Sequence, residues 1–444
     1  MLLDFLSQHS DLIISLTIFG LSFAAIIFDI FDKSVVAMAG AVLLMLFGVI
    51  DFEQAVSSVD FEIIALLAAM MIIVEIAQES GFFTMLNFRL AKYSKGNPFL
   101  IFLFFTLITA LGSAFLDNVT TILIVVPITV ALVKGLGYNP FIFVIAEIMF
   151  SNIGGALTLI GDPPNVLVGT AVGFSFNQFI VVMAIPIFIS MILGLLIFYM
   201  LRWKELKPIH HHLPKLFLSN VLLNKLEYRH QKTRLNKKFI AKVLVILGLT
   251  VLGFLLQSML HLPIAVIAIT GAFTLMLVVH RRIHVEHVFS TIEWSTLGFF
   301  AGLFVIVGAL EHTGILEIFA QTVVNSTDNF NVLILLILWG SGLLSTLVNN
   351  IPFVAVMIPI LFTVTEHYTG DPHADVLWWA LIMGSALGGN GTMIGASANV
   401  IGVDLARKGG VKITFLSYLR YSLPITLMVL SVCSIYLLIW VNYF

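Results

Sequence analysis

Polar, helix-breaking residues set inside long apolar runs constrain this chain more than any other feature, and the pattern occurs twice. The first copy reads SAFLDNVTTILIVVP at 113–127 and SNIGGALTLIGDPPNVL at 151–167. The second reads STLVNNIPFVAVMIP at 345–359 and SALGGNGTMIGASANVI at 385–401. Ser113, Asn118 and Pro127 recur in register as Ser345, Asn350 and Pro359. Likewise Ser151, Gly154, Gly155, Thr158, Ile160, Gly161 and Asn165 recur as Ser385, Gly388, Gly389, Thr392, Ile394, Gly395 and Asn399. Lipid cannot satisfy an opened backbone, so such breaks survive only where protein or a water-filled cavity surrounds them. Paired interruptions at matching positions of two halves point to a secondary transporter's binding site.

The chain around these breaks is 60% hydrophobic and 10% charged, with a mean hydropathy of +1.08. An ordinary soluble domain carries roughly 25% charged residues, so this is an integral membrane protein. A net charge of −2 leaves no basic face for nucleic acid. The single cysteine, Cys433, excludes an intrachain disulfide and a thiolate metal cluster, and reads as a small apolar residue of the last span. MLLDFLSQHSDLIISL lacks the positive segment of a cleavable signal peptide, so the first span is expected to be retained.

A crossing helix needs about 20 mostly apolar residues. Crossings are predicted near 11–31, 34–50, 60–80, 139–172 and 176–201, and again near 239–260, 263–280, 292–312, 376–405 and 418–443. Two further pieces, 98–135 and 328–366, each consist of two apolar arms of about 16 residues, short for a full span, around the tips Asp117-Asn118 and Asn349-Asn350. They are expected to be re-entrant hairpins. With the N- and C-termini outside, all 22 Lys and Arg residues fall on the cytoplasmic side, while 51–60, 311–330 and 366–375 contain none. Five crossings per half is an odd number, so the second half enters from the opposite side. The expected fold is an all-α polytopic membrane protein of about ten crossings in two inverted repeats, 1–201 and 239–444. Each has a re-entrant hairpin and a broken helix, at 139–172 and 376–405. The basic cytoplasmic linker 202–238 joins them, its His210-His211-His212 run read as solvated. All 12 histidines lie at span ends or in loops, which argues against a buried zinc site or an intramembrane histidine relay.

An ionisable group at mid-membrane is costly and needs a reason. Asp117, Glu147 and Asp162 are the candidates for proton coupling, and their second-half counterparts are Asn349, Leu381 and Ala396. The scaffold repeats but the acids do not. Gly154, Gly155, Gly161, Gly388, Gly389, Gly391 and Gly395 remove side chains where the helices open. Half-helix N-termini after Asn118 and Asp162 are expected to aim N–H groups at a cavity, suiting an anion or a neutral hydroxide. Carbonyls of 157–162 and 390–396 suit a hard cation. Candidate substrate- or ion-binding residues are Asp117, Asn118, Thr120, Thr121, Asn349, Asn350, Ser151, Thr158, Asn165, Asn390, Thr392, Ser397 and Asn399, the asparagines at 118, 165, 350 and 399 serving equally as helix caps. A sodium ion near Asp117, Asn118, Asn349 and Asn350 is the metal these donors admit, and no organic cofactor is called for. Glu75, Glu79, Glu62, Glu311, Glu366 and Asp404 read as interfacial.

LDNVTT at 116–121, GGALTLIGDPPNVLVG at 154–169, NNIPF at 349–353 and GGNGTMIGASANV at 388–400 together resemble the ion transporter superfamily. The likeness is to its citrate-transporter-like branch that joins arsenite permeases, antiporters of the NhaD type and the melanosomal P protein. The resemblance implies opposed hairpins, with substrate and ions held at hairpin tips and broken helices. Dicarboxylate transporters of the superfamily carry Ser-Asn-Thr at both tips, whereas these tips read Asp117-Asn118-Val119 and Asn349-Asn350-Ile351, which weakens a dicarboxylate reading. The resulting expectation is a non-enzymatic secondary transporter of the cell membrane, driven by protons or sodium. It would move a small inorganic ion or metalloid hydroxide, with arsenite or antimonite efflux favoured. Sodium/proton antiport is the alternative, and di- or tricarboxylate uptake the third. Superfamily membership implies a homodimer; a cytoplasmic ATPase partner is left open.

Overall fold

Backbone groups in hydrocarbon must bond internally, and helices are the only regular structure among the residues described in the computed structural model: 10–28, 30–207, 237–327, 329–368 and 370–443. The His210-His211-His212 run lies outside them. The first half comprises α1 (Ser10–Ile27), α2 (Lys33–Leu46), α3 (Phe52–Ser58), α4 (Phe61–Glu79), α5 (Phe82–Tyr93), α6 (Pro98–Phe115), α7 (Asn118–Gly135), α8 (Phe141–Gly155), α9 (Pro163–Val172) and α10 (Phe176–Arg202). The second comprises α11 (Lys237–Leu255), the single turn α12 (Gln257–Leu260), α13 (Ile264–Val279), α14 (Val285–Ser290), α15 (Trp294–His312), α16 (Ile315–Val324), α17 (Phe330–Leu347), α18 (Asn350–His367), α19 (Val376–Gly388), a 3-10 turn Gly389–Gly391, α20 (Ser397–Lys408) and α21 (Phe415–Tyr443).

Apart from α12 and the 3-10 turn, the two halves run element for element in the same order. Local signals recur with them. Gly81 and Gly314, at φ 75° and 72°, turn the chain into α5 and α16, a left-handed conformation in which glycine escapes the Cβ penalty. Asn97 Oδ1 caps α6 by accepting from Phe99 N at 2.9 Å, and Asn329 Oδ1 caps α17 by accepting from Asn331 N at 3.0 Å.

Among the described residues ten helices are long and apolar enough to cross a membrane, but they are not the ten expected crossings. The hairpin arms α6, α7, α17 and α18 are each 18 residues rather than about 16, or about 27 Å at the α-helical rise. Conversely α2 and α13 are only 14 and 16 residues, because the chain turns or caps sooner than their hydropathy implies. The segments read as loops at 81–97 and 311–330 contain the short helices α5 and α16, too brief to register as spans.

Packing crosses between the halves. Helix α2 lies against α15, and α4 against α13. The second hairpin arm α7 packs on α20, and its counterpart α18 packs on α9. The tightest pairs within each half are α6 with α8 and α17 with α19, and small residues explain the approach. A Cβ added at Gly154 would strike the Ala110 backbone, and one at Gly388 would strike the Gly342 carbonyl. Membrane helices gain little from hydrophobic burial against lipid, so close backbone contact through small residues supplies much of their association.

Candidate functional site

Both breaks form where expected. Helix α8 ends at Gly155 and α9 resumes at Pro163; α19 ends at Gly388, and α20 begins at Ser397 after the 3-10 turn. Each opened segment is stapled by the asparagine that follows it. Asn165 Nδ2 donates to the carbonyls of Gly155 (3.2 Å) and Thr158 (2.8 Å), and Asn399 Nδ2 donates to those of Gly389 and Thr392, both at 2.8 Å. Threonines fasten the same segments to the hairpins: Thr158 donates to the Ala114 carbonyl, and Thr392 to the Thr346 carbonyl at 2.7 Å. These four side chains therefore use their donors on the backbone, satisfying groups that the broken helices leave open.

The hairpin tips are buried against these breaks, with Asn118 6% and Asn350 5% exposed. Asp117 caps α7, accepting from Thr120 N at 3.0 Å and from the Thr120 hydroxyl. Asn118 Oδ1 accepts from Ser113 at 2.6 Å, and Ser113 also bonds Ser151 at 2.8 Å. Gly155 is required here, since a Cβ would strike Asn118 Oδ1. In the second half Asn349 caps Ile351 N at 3.2 Å, while the Asn350 side chain has no hydrogen-bond partner among the described residues.

Asn152 ties the tip and both breaks together, and the sequence reading missed it. Its Nδ2 donates to Asn390 Oδ1 (2.8 Å) and Asn399 Oδ1 (2.7 Å), and its Oδ1 accepts from Asn118 Nδ2 at 3.3 Å. Asn390 Nδ2 in turn donates to the Met149 carbonyl at 3.1 Å. The in-register counterpart of Asn152 is Ala386, so the repeat gave no signal there.

A cavity of about 330 Å³ opens beside this junction, at the small end of the range for ligand sites. Of the expected residues, Asp117, Asn118, Thr120, Asp162, Asn350 and Ser397 line it. Ser151, Thr158, Asn165, Asn390, Thr392 and Asn399 stand behind it as supports. Among the described residues the buried Thr121 hydroxyl has no partner, and Glu147 lies away from the cavity, its Oε1 accepting from Thr129 at 2.5 Å and its Oε2 without a partner. The walls also carry Lys33, Gln78 and Glu293, together with Glu75, which the sequence reading took as interfacial. Asp162 and Asp117 thus face the same cavity. At the outer rim, His287 Nε2 lies 4.0 Å from Glu75 and 3.7 Å from Glu79.

One expectation about donors needs correction. The N-terminus of α9 offers no free N–H, because Pro163 and Pro164 have none and Asn165 N bonds back to the Asp162 carbonyl at 3.0 Å. Neither α9 nor its counterpart α20 has a side-chain cap, but α20 begins with Ser397 and Ala398, whose N–H groups are unpartnered among the described residues and which line the cavity.

Long apolar helices with paired hairpins and paired breaks converging on one cavity that carries buried acids and amides define a multi-pass membrane protein, and the class is that of secondary transporters. Residues 23–384 match the family model described as citrate transporter (CitMHS), and the chain belongs to that family. It is 34% identical over 443 residues to a 46 kDa membrane protein of Mycobacterium leprae, covering 97% of this chain and 99% of that one. It is 32% identical over 507 residues to the P protein of Homo sapiens, covering 98% of this chain and 60% of that protein. Its fold is similar to that of the YdaH transporter of Alcanivorax borkumensis, with a TM-score of 0.62 at 14% identity over 88% of each chain.

Proposed function

We propose that this transporter works by alternating access, with protons or sodium driving a small solute through the cavity at Asp117, Asp162, Asn118, Asn350 and Ser397. The observation that carries the reading is the convergence of two carboxylates with hairpin-tip amides at two opened helices. Carboxylate and amide oxygens are hard donors that suit sodium or accept a proton. Asp162, Asp117 and Asn350 line the cavity and are better placed for a cation than Asn349, which does not.

Four acids, Asp117, Asp162, Glu75 and Glu293, line the cavity against one lysine, Lys33. Such a lining disfavours a free polyanion by like-charge repulsion, and it favours a neutral metalloid hydroxide, arsenite or antimonite, recognised by Asn118, Asn350, Ser397 and the N–H groups of α20. Loss of the coupling cation from the acids on the opposite face would then favour export. Citrate uptake is the second reading, supported by the family match and by the uncapped α20 N-terminus, which suits a carboxylate once cations have neutralised the acids. Sodium/proton antiport would use the same two aspartates competitively.

The orientation follows from charge. With both termini outside and the basic linker in the cytoplasm, Lys33, Glu75 and Glu293 lie at the cytoplasmic ends of α2, α4 and α15, so the cavity faces inward. The two halves then act as inverted repeats in the cell membrane. Flux in proteoliposomes with imposed pH or sodium gradients, testing arsenite, citrate and sodium in parallel, separates the readings. Gradient-driven arsenite movement supports the first, citrate movement the second, and sodium–proton exchange without either solute the third. No gradient-driven flux of any of the three would overturn the proposal.

A further inference from the structure

We propose that the cytoplasmic ends of α11 and α13 form a binding site for an anionic phospholipid headgroup. Lys238 and Lys242 on α11 converge with His280, Arg281 and Arg282, which follow α13, around a second concavity of about 410 Å³. Phe239, Val278 and Val279 complete its lining, and no acidic residue among the described residues takes part. Arg281 and Arg282 form no ion pair among the described residues. Lys242 Nζ reaches the Val278 carbonyl at 3.4 Å, which draws it to the rim shared by the two helices.

Basic residues at a cytoplasmic helix end serve topology wherever they stand, but topology does not require them to face one another. Placing like charges around one hollow costs repulsion unless an anion occupies it. Paired guanidinium groups suit phosphate oxygens through bidentate hydrogen bonds, and basic pockets between membrane helices on the cytoplasmic side are where anionic headgroups bind. The surroundings select a lipid over a soluble phosphate. Val245 and Leu249 on α11, and Phe273 and Leu277 on α13, are large apolar side chains between 50% and 72% exposed, a surface for acyl chains immediately beside the basic hollow. Because α13 packs on α4, which carries Glu75 and Gln78 into the solute cavity, an occupied site would brace that wall.

The full chain, purified in neutral detergent, is titrated with phosphatidylglycerol, phosphatidylcholine or inorganic phosphate while thermal unfolding and retained lipid are followed by fluorescence and native mass spectrometry. Phosphatidylglycerol is expected to be retained and to raise the melting temperature, with phosphatidylcholine and inorganic phosphate ineffective. The double variant Arg281→Ala/Arg282→Ala is expected to bind phosphatidylglycerol about 30-fold more weakly, the effect of removing two cations at a membrane face. Lys92→Ala, a basic position outside the hollow, is expected to leave binding unchanged. Equal protection by phosphatidylcholine, or equal loss in Lys92→Ala, would overturn the site, and protection by inorganic phosphate alone would overturn the lipid as its occupant. The wild-type comparison of lipids decides the matter even if the double variant fails to fold.

Discussion

Remove the Asn152 side chain and three buried groups lose a partner at once: Asn118 Nδ2, Asn390 Oδ1 and Asn399 Oδ1. An orphaned buried polar group costs about 1–3 kcal/mol, and interhelical bonds in membranes average at the low end of such values. Asn152→Ala is therefore expected to destabilise the protein by about 1–3 kcal/mol in reversible unfolding from mixed micelles; an unchanged midpoint would mean the junction does not depend on it. Asp117→Asn is a different kind of change. The amide oxygen can still accept from Thr120 N, so folding is expected to persist while gradient-driven flux is lost; undiminished coupled flux would remove Asp117 from the mechanism. Asp117 and Asp162 were legible because a carboxylate amid apolar residues needs a reason. Asn152 was not, because the internal repeat picks out residues present in both copies and Ala386 occupies the matching place. Lys33 and Glu293 were equally hidden, since their distance from a hairpin tip depends on tertiary packing.

The glycines bear on how helices meet. Their sequence reading was that missing side chains let a helix open, and the coordinates assign Gly154 and Gly388 a packing role as well, each facing the backbone of the neighbouring arm. Gly388→Ala is expected to cost about 1–3 kcal/mol or more, because backbone cannot move aside as a side chain can. In contrast Gly298 in α15 has nothing within 4 Å of an added Cβ, so Gly298→Ala is expected to be neutral or to stabilise by up to about 1 kcal/mol. Measured melting points that moved equally for the two variants would refute the distinction. At this scale the sequence located the breaks, but hydropathy took the hairpin arms as short and α2 and α13 as spans, and it missed α5 and α16, whose 12 and 10 residues fall below any span criterion. Nor could it foresee that α9 begins without usable N–H groups while α20 keeps them, a difference made by Pro163 and Pro164 after the chain has broken.

For the molecule as a whole, the repeat order was legible in the text of the chain, whereas the crosswise pairing of α7 with α20 and α18 with α9 belongs to the folded state. That pairing places each hairpin's second arm on the helix following the other half's break, so movement of one half would reshape the other side of the cavity. Alternating access predicts that a cavity residue becomes reachable from both sides of the membrane in turn. Ala396 lines the cavity, and Cys433, the chain's single cysteine, is fully buried, which leaves a low labelling background. The decisive measurement is modification of Ala396→Cys by a membrane-impermeant thiol reagent in sealed vesicles of both orientations. The account predicts labelling from the cytoplasmic face at rest and from the outer face once an ion gradient and transported solute are imposed; labelling from a single face under every condition would contradict it.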